Sequence, residues 1–385
     1  MSLHIFTGAA IFDGETLHRD HALVVEAGRV AAITDRPPSG AEIRLAGGVL
    51  APGMIDLQVN GGGGAMLDGG ATVDSIAALC ACHARLGATG ILPTLITDTP
   101  EATAAVIAAG IAAARARVPG FLGLHLEGPH LDPARPGAHD PALIRPMTDA
   151  DLETLCAAAR ALPALMVTLA PASVSNAQIS ALAGAGATVS LGHADCSFDE
   201  ACAAHRAGAR AVTHLFNAMS GLGHRAPGLV GAALAMDFDA GLIADGHHVH
   251  PVTMRLALAA RQAGRVFLVS DAMAVAGSDQ DRFTLGGRKI RREGGRLTLA
   301  DGTLAGADLT LPQAVGVMVR DVGLPPARAL AMATSIPAAV IGQDQRHGRL
   351  APGRAADMVH LCANWRMQTV WRAGRRLLSG TGCSA

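Results

Sequence analysis

The chain has 385 residues, half of them apolar, and carries a formal net charge of −1. This length is ample for one large α/β domain with a smaller appended domain, and the balanced charge gives no indication of a nucleic-acid partner. Aromatic residues make up only 3% of the chain and there is no tyrosine, so a surface that stacks RNA bases is not expected.

The first fifty residues have the character of short β-strands separated by turns. Apolar runs such as HIFTGAAIF, HALVVEAGRVAAIT and IRLAGGVLAPG alternate with Asp-Gly, Ala-Gly and Gly-Gly pairs. The opening residues lack a basic segment before an apolar stretch, and no apolar run reaches the ~20 residues that span a membrane. We therefore expect a cytoplasmic protein with no membrane partner.

The middle of the chain alternates apolar strands with alanine-rich helices. TGILPTLIT precedes PEATAAVIAAGIAAARA, and LMVTLAP precedes SNAQISALAGAG. This alternation requires a parallel sheet, and at this length it favours a (β/α)8 TIM-type barrel over residues 53–345. Residues 283–305 interrupt the alternation and predict an inserted β-hairpin. The last forty residues are again β-rich, which predicts a small β-sandwich domain built from residues 1–52 and 346–385.

Four polar residues follow apolar runs at points where barrel strands should end. They are Glu127 in GLHLEGPH, His193 in VSLGHADCS, His214 in AVTHLFNAM and Asp271 in FLVSDAMA. The C-terminal ends of barrel strands converge on one mouth, where such enzymes carry their catalytic groups. One carboxylate and two imidazoles suit a divalent metal with open positions, and a second carboxylate nearby can move protons. The sequence predicts a metal-dependent hydrolase.

Each of these residues also has a structural alternative. Glu127 could cap a helix or form an ion pair, and Asp271 could cap the turn that follows it. A lone histidine at a strand end is more often a core residue with satisfied hydrogen bonds. The recurrence of two such histidines and one glutamate in the same strand-end position favours the metal site.

Two other motifs favour packing over function. Gly61–Gly64 in VNGGGGA lacks the βαβ spacing and the acidic residue of a dinucleotide loop, so we expect close backbone approach near the site. Cys80 and Cys82, with His83, lie on a predicted helix where residues i and i+2 face different directions. We therefore expect them to be core residues and not zinc ligands.

Two further motifs indicate how a charged substrate could be held. In the segment DGHHVHP, His248 and His250 would face one side of an extended chain and His247 the other. We expect one of them to face the substrate. Arg225 lies in the glycine-flanked loop GLGHRAPGL and is suited to binding an anion, with a solvated surface arginine as an equal alternative.

Six segments occur in a characteristic order along the chain: APGMIDLQVNGGGG, HLEGPHLDPARPGAHDP, LGHADCS, THLFNAMSGLGHRAPGL, IADGHHVHP and VSDAMAVAG. Together they closely resemble the N-acetylglucosamine-6-phosphate deacetylase family of the amidohydrolase superfamily. The resemblance continues to the closing APGRAADMV segment. It implies a (β/α)8 barrel with a small β domain, and hydrolysis of N-acetylglucosamine 6-phosphate to glucosamine 6-phosphate and acetate.

The resemblance also implies roles for individual residues. Glu127, His193 and His214 would bind the metal. Asp271 would act as general base and acid, and His139 would hold or polarise the acetyl carbonyl. The other implied residues contact the substrate: the backbone of Asn217 and Ala218 at the phosphate, Arg225 and His248 also at the phosphate, and Ala138, Leu304, Ala305 and Gly306 in the sugar pocket. In the family the arginine loop can reach a neighbouring subunit's site, so we expect a homodimer.

The first barrel strand departs from the pattern of many amidohydrolases. Where these carry a His-x-His pair that holds a second metal, this chain has Gln58 and Asn60. Neutral amides are poor ligands for a transition metal, so we expect one divalent metal per subunit. Zn²⁺ is the first choice, and Fe²⁺, Mn²⁺ and Co²⁺ are also compatible with a Glu-His-His site.

Two alternatives stay open at this stage. The substrate could be N-acetylgalactosamine 6-phosphate or another N-acylated amino sugar, because no residue identifies the configuration at C4. The chain could also be a barrel that has lost catalysis, although the four strand-end residues argue against it.

Overall fold

The computed structural model describes residues 3–261 and 263–379. The chain begins with seven strands: β1 (Leu3–Thr7), β2 (Ala10–Phe12), β3 (Leu17–His18), β4 (Ala22–Glu26), β5 (Arg29–Thr34), β6 (Ala41–Arg44) and β7 (Val49–Pro52). It continues with β8 (Met54–Val59), β9 (Gly61–Gly62), β10 (Ala65–Met66), α1 (Val73–Arg85), β11 (Ala88–Ile96), α2 (Pro100–Arg115), β12 (Leu124–Glu127), a 3-10 turn (Pro141–Leu143), α3 (Asp149–Ala161), β13 (Leu165–Leu169), α4 (Asn176–Gly184), β14 (Thr188–Leu191), α5 (Phe198–Ala207), β15 (Ala211–Val212), α6 (Gly228–Ala235), β16 (Asp239–Leu242), α7 (Pro251–Ala260) and β17 (Val266–Leu268). The remaining elements are β18 (Arg282–Leu285), β19 (Arg288–Glu293), β20 (Arg296–Thr298), β21 (Leu304–Ala307), α8 (Leu311–Arg320), α9 (Pro326–Ala331), α10 (Ser335–Val340), β22 (Met358–Leu361), β23 (Met367–Arg372) and β24 (Arg375–Ser379).

Eight parallel strands form a nearly closed barrel in the order β17-β16-β15-β14-β13-β12-β11-β8. The strands are almost wholly buried, as parallel strands covered on both faces should be. The first and last strands meet where the Asn60 N–H donates to the Ala272 carbonyl at 2.9 Å and the Asp271 N–H donates to the Gln58 carbonyl at 3.1 Å. The predicted (β/α)8 barrel is confirmed, and its closure brings Gln58 and Asn60 beside Asp271.

The helices around the barrel begin at clear sequence signals. Five of them start with a capping box, in which the N-cap side chain and the N3 side chain each bond the other residue's backbone N–H. The N-cap residues are Thr72, Thr148, Ser175, Ser197 and Thr310. The helices share one continuous apolar core with the strands. Since helices follow strands in each unit, these caps fix the backbone at the mouth of the barrel. Among the described residues, no helix combines the length and apolar character needed to cross a membrane.

Two further sheets pack face to face beside the barrel. One has the strand order β5-β4-β1-β6, and the other has the order β24-β23-β22-β7-β2-β3. Their shared core contains Phe6 and Leu23 from the first sheet with Leu50 and Trp371 from the second. The rings of Phe6 and Trp371 meet edge to face with centroids 5.3 Å apart. Because β7 pairs with β22, both ends of the chain build the predicted β-sandwich, which is confirmed.

The inserted segment is larger than the single hairpin predicted for residues 283–305. Strands β18 to β21 form a four-stranded antiparallel sheet between Arg282 and Ala307. Two Gly-Gly pairs, at 286–287 and 294–295, each reverse the chain, and a third turn follows β20. The sheet packs against the barrel mouth through an apolar cluster that includes Leu285, Ile290 and Met273.

The domain boundaries, 1–52 with 346–385 and 53–345, stay a prediction. Residues 1–2 and 380–385 of the predicted small domain, and residue 262 of the barrel, lie outside the described part of the chain.

Gly123, just before β12, provides a test of how this strand is positioned. Its φ is +143°, and a Cβ atom there would lie 2.0 Å from the Ala164 carbonyl oxygen. We expect Gly123→Ala to lower the free energy of unfolding by at least ~2 kcal/mol, measured by urea denaturation. The new Cβ would force the backbone away from the Ala164 carbonyl, and an alanine at this φ is strained. Gly184→Ala is the matched control, since nothing lies within 4 Å of its new Cβ. Equal stability of the two variants would contradict the close approach.

Candidate metal centre and active site

Glu127, His193 and His214 meet at the mouth of the barrel. Glu127 is the last residue of β12, and each histidine follows the end of its strand by two residues. The His214 Nε2 atom lies 3.0 Å from Glu127 Oε1 and 3.1 Å from His193 Nε2. The His193 Nε2 atom lies 3.3 Å from the same glutamate oxygen. All three side chains are buried. The structure therefore brings together the three predicted ligands.

The tautomer of His193 determines what its inner nitrogen can do. Its Nδ1 atom lies 2.9 Å from the carbonyl oxygen of Arg135, which can only accept, so Nδ1 carries the hydrogen. The Nε2 atom of the neutral ring then directs a lone pair at the Glu127 oxygen. Two lone pairs at this distance repel each other unless a proton or a cation lies between them. A carboxylate and imidazole nitrogens in this arrangement fit a divalent metal.

The charges at the centre favour the same interpretation. Burial raises the pKa of the Glu127 carboxyl, but the two imidazoles beside it, His193 and His214, outweigh that effect and hold the pKa well below its usual range. Burial lowers the pKa of His214, and the bond to Glu127 reverses this, so that its pKa is raised. Glu127 is thus a carboxylate that needs positive charge beside it. The Nδ1 atom of His214 has no hydrogen-bond partner within the described residues.

Asp271 is held by two amide side chains from the end of β8. Asn60 Nδ2 donates to Asp271 Oδ1 at 2.6 Å, and Gln58 Nε2 donates to the same oxygen at 3.2 Å. Gln58 Nε2 also lies 3.1 Å from both oxygens of Glu127. Both amides therefore act as hydrogen-bond donors to carboxylates. Burial and the charge of Glu127 raise the pKa of Asp271.

His139 is close enough to the centre to be considered a fourth ligand. One of its ring nitrogens lies within 4.8 Å of ligand atoms of Glu127 and His193. However, the backbone N–H of Thr97 donates to His139 Nδ1 at 3.2 Å, and the Thr97 hydroxyl lies 2.7 Å from the same nitrogen. Since Nδ1 accepts, Nε2 carries the hydrogen and is a donor. Burial and the neighbouring His193 lower the pKa of His139 to about 3, so the ring is neutral.

One cavity of about 390 Å³ contains most of the predicted site residues, and its size suits a small-molecule ligand. The predicted residues that line it are Asn60, Glu127, Ala138, His139, His193, His214, Asn217, Ala218, His248, Asp271, Leu304 and Gly306. Gln58 lies behind Glu127 and Asp271. Ala305 points into the core of the inserted sheet, where it is fully buried. Arg225 lies outside the cavity.

Other residues that line the cavity offer donors suited to an anion. The His248 Nδ1 atom is bound to Asp245 Oδ2 at 2.6 Å, which orients the ring. The Asn217 N–H is already bonded to the His214 carbonyl at 3.0 Å, whereas the Ala218 N–H makes no hydrogen bond among the described residues. Of the two predicted backbone donors, only that of Ala218 is therefore free. Residues 221–226, including Arg225, are all exposed, and Arg225 forms no ion pair with any residue that the structure describes.

Two residues beside the centre were not predicted. Thr97 follows β11, so the strand-end rule could have identified it, but a threonine is too common there to stand out. Arg135 contributes through its backbone carbonyl, which no sequence signal reports.

Comparison with known proteins agrees with this geometry. The amidohydrolase family matches residues 49–375. The chain is 41% identical over 335 residues to the N-acetylgalactosamine-6-phosphate deacetylase of Shewanella sp. (strain ANA-3), covering 87% of this chain and 84% of the relative. It is 33% identical to the N-acetylglucosamine-6-phosphate deacetylase of Vibrio furnissii, covering 97% and 94%. The structure of a variant N-acetyl-D-glucosamine-6-phosphate deacetylase from Mycobacterium smegmatis, in complex with N-acetyl-D-glucosamine-6-phosphate, has a TM-score of 0.89 and 32% identity, covering 98% and 100%.

Asp56, beneath the centre, makes a prediction about pH. Burial raises the pKa of this carboxyl to about 7, and hydrogen bonds from Ser270 and Gln58 offset part of that effect. Since the folded-state pKa lies above the unfolded value, the stability from proton uptake is fully present at low pH and is lost as pH rises through about 7. Between pH 4 and 7, we expect the free energy of unfolding to fall further in the wild type than in Asp56→Asn, by up to ~4 kcal/mol.

Urea denaturation of the metal-free proteins at several pH values measures this difference. The amide introduced by Asp56→Asn keeps an oxygen that can accept from the Ser270 and Gln58 N–H groups, so the change removes the titration with little loss of contacts. Parallel pH profiles for the two proteins would contradict the raised pKa.

Proposed function

The chain belongs to the amidohydrolase family, and we propose that it hydrolyses the acetamide of an N-acetylhexosamine 6-phosphate to the free amine and acetate. It is a metal-dependent hydrolase. The observation that carries the substrate assignment is that one cavity is lined by the candidate metal ligands, a proton acceptor, a neutral imidazole donor and further donors suited to an anion. The names of the relatives, which act on two epimers of this substrate class, support it.

We propose that Glu127, His193 and His214 hold one divalent metal. A cation bound there supplies a Lewis acid that polarises the acetyl carbonyl and lowers the pKa of water. The amides of Gln58 and Asn60 donate to carboxylates where a second cation would need ligands, which supports a single metal. Zn²⁺ suits this mixture of imidazole and carboxylate, and Fe²⁺, Mn²⁺ and Co²⁺ suit it as well.

The proton transfers follow from which atoms are free. Both amide donors to Asp271 end on Oδ1, so Oδ2 is the oxygen that accepts the proton of the attacking water. The Nε2–H of His139 donates to the acetyl oxygen as that oxygen gains negative charge. Asp271 then delivers the proton to the amine nitrogen as the C–N bond breaks.

In this proposal, the ring of His248 and the backbone N–H of Ala218 bind the phosphate. Such binding, remote from the reacting bond, fixes the amide in position for attack. We propose that Arg225 completes this site in a neighbouring subunit of a homodimer, since its side chain is exposed and lies outside its own cavity. Leu222 in the same loop is 62% exposed, as expected for a residue that a second copy covers.

Sugar phosphates are made and kept inside cells, which supports a cytoplasmic location.

The galactosamine epimer is a second candidate substrate. The relative from Shewanella, which shares 41% identity, is named as an N-acetylgalactosamine-6-phosphate deacetylase. Other N-acylated amino sugars would use the same chemistry if they carried the phosphate. The convergence of the three candidate ligands, Asp271 and His139 at one centre argues against a non-catalytic role.

Release of acetate from the two 6-phosphates tests the proposed function. We expect turnover on at least one epimer, loss of turnover with a chelator, and recovery when metal is restored. Asp271→Asn should lower kcat by ~10²-fold or more, because it removes the proton acceptor, while metal content stays near one per chain. Near-normal turnover of this variant would remove the proposed role of Asp271. Absence of acetate release from both substrates by metal-loaded protein would reject the function.

The proposed role of Arg225 predicts subunit complementation. Arg225→Ala should raise KM for the phosphorylated sugar and leave the slow reaction of the unphosphorylated sugar unchanged, because only the phosphate loses a partner. Mixing Arg225→Ala with Asp271→Asn and allowing the subunits to exchange should restore about a quarter of the wild-type kcat/KM, measured well below saturation, since half of the dimers would contain one complete site. Arg160→Ala, an exposed arginine on α3, is the control. Recovery no greater than the sum of the separate variants would contradict a shared site.

A further inference from the structure

His193 is held by a loop that is distant from it in the sequence. Strand β14 ends at Leu191, so His193, with a φ of +47°, lies beyond the strand, and the next residue, Ala194, forms an isolated bridge with Met219. The Asp132 N–H donates to the His193 carbonyl at 2.9 Å, and the His193 ring donates to the Arg135 carbonyl at 2.9 Å. A Cβ atom at Gly137 would lie 3.1 Å from the His193 ring, so the loop passes directly over it. Both the backbone and the ring of His193 are thus bonded to residues 132–137.

The carboxylate of Asp132 ties this loop to the segment that carries His193. Asp132 Oδ1 accepts from the Ala134 N–H at 2.9 Å, and Oδ2 accepts from the Asp195 N–H at 2.9 Å. The first bond shapes the turn that presents the Arg135 carbonyl. The second joins the loop to a residue two positions beyond His193. One side chain therefore sets the relative position of the histidine and the carbonyl that defines its tautomer.

An ion pair spans the same two segments. Arg135 Nε and Nη2 lie 2.9 and 2.6 Å from Asp195 Oδ1. The side chains of Arg135 and Asp195 are 41% and 44% exposed, and an ion pair this exposed contributes little to stability. The Asp132 carboxylate instead bonds two backbone N–H groups that the chain already holds in place, so its charge-assisted bonds are the stronger connection.

We propose that Asp132 is a positioning residue for the metal centre, which acts by holding His193 with Nε2 directed at the bound cation. This inference rests on the proposed metal site. The Nδ1 atom of His193 bonds the Arg135 carbonyl, whereas the Nδ1 atom of His214 has no partner among the residues described. The orientation of the His193 ring therefore depends on the 132–137 loop. Loss of such an outer contact typically weakens metal binding by about 10- to 100-fold.

Competition for Zn²⁺ with a chromophoric chelator measures the effect. We expect Asp132→Ala to weaken binding by about 10- to 100-fold, and Arg135→Met, which keeps the backbone carbonyl, to weaken it by no more than about threefold. Asp13→Ala is the matched control, because the Asp13 carboxylate also accepts two backbone N–H groups, both at 2.8 Å, but lies in the β-sandwich. It should bind Zn²⁺ like the wild type. Wild-type affinity in Asp132→Ala would overturn the proposal.

Two further measurements separate the possible failures. The circular dichroism spectrum of metal-free Asp132→Ala shows whether this variant folds like the wild type. If the spectra differ, Asp132→Asn is measured in its place, because the asparagine keeps one acceptor oxygen. Weaker binding with an unchanged spectrum then supports the proposal, and unchanged binding overturns it. If wild-type protein binds no Zn²⁺, or if Glu127→Gln binds it as tightly as the wild type, the metal centre itself is wrong. If wild type binds and Glu127→Gln does not, equal affinity in the Asp132 variant overturns only the positioning role.

Discussion

The buried carboxylate of Glu127 is the constraint on which the mouth of this barrel depends. A charged group that is only 2% exposed is costly unless opposite charge or hydrogen-bond donors surround it. In the residues that the structure describes, its ion-pair partners are two histidines, with no lysine or arginine beside it. Histidine is a weak source of positive charge at neutral pH, and His193 uses its one neutral-state hydrogen on Arg135. The negative charge of the centre is therefore balanced when a cation binds there. This need for a cation explains why the surrounding loops and amide side chains orient a few ligand atoms.

The backbone supports this convergence through unusual conformations at strand ends. His193, His214 and Asp271 all have positive φ, which non-glycine residues rarely adopt. Each lies where a parallel strand stops pairing, so the chain can turn sharply and direct the side chain into the mouth. Such conformations cost stability, and they persist only where surrounding bonds over-determine them. Here the bonds come from segments that are distant in the sequence: residues 132–137 hold His193, and the amide side chains at the end of β8 hold Asp271.

The architecture and the convergence of the four strand-end residues could be predicted from the sequence, for physical reasons. Alternating strands and helices have strong periodicity, and a polar residue that ends an apolar run is visible without coordinates. Contacts between distant loops leave no such signal. Thr97 and Arg135 determine the tautomers of His139 and His193 through a backbone N–H and a backbone carbonyl, which every residue type carries. A single hairpin underestimates the inserted sheet, because its two Gly-Gly turns are easily taken for one reversal. The side chain of Ala305, which was expected to line the sugar pocket, is buried in the core of the inserted sheet, because the sequence alone does not show which face of β21 it takes.

The cavity lining combines buried polar groups at the barrel mouth with residues of partly exposed loops. Glu127, His193 and Asp271 are buried, whereas Ala138 and Asn217 lie in loops and are only partly buried. Loops accept insertions and exchanges of side chains more readily than the strands and helices that they connect. The lining also includes apolar side chains, among them Ile96, Met273 and Leu285. An apolar wall discriminates weakly between ligands that differ in one hydroxyl group, whereas a site built to hydrogen-bond that group discriminates strongly. A family with this arrangement can therefore contain enzymes for both C4 epimers, and the names of the relatives include both.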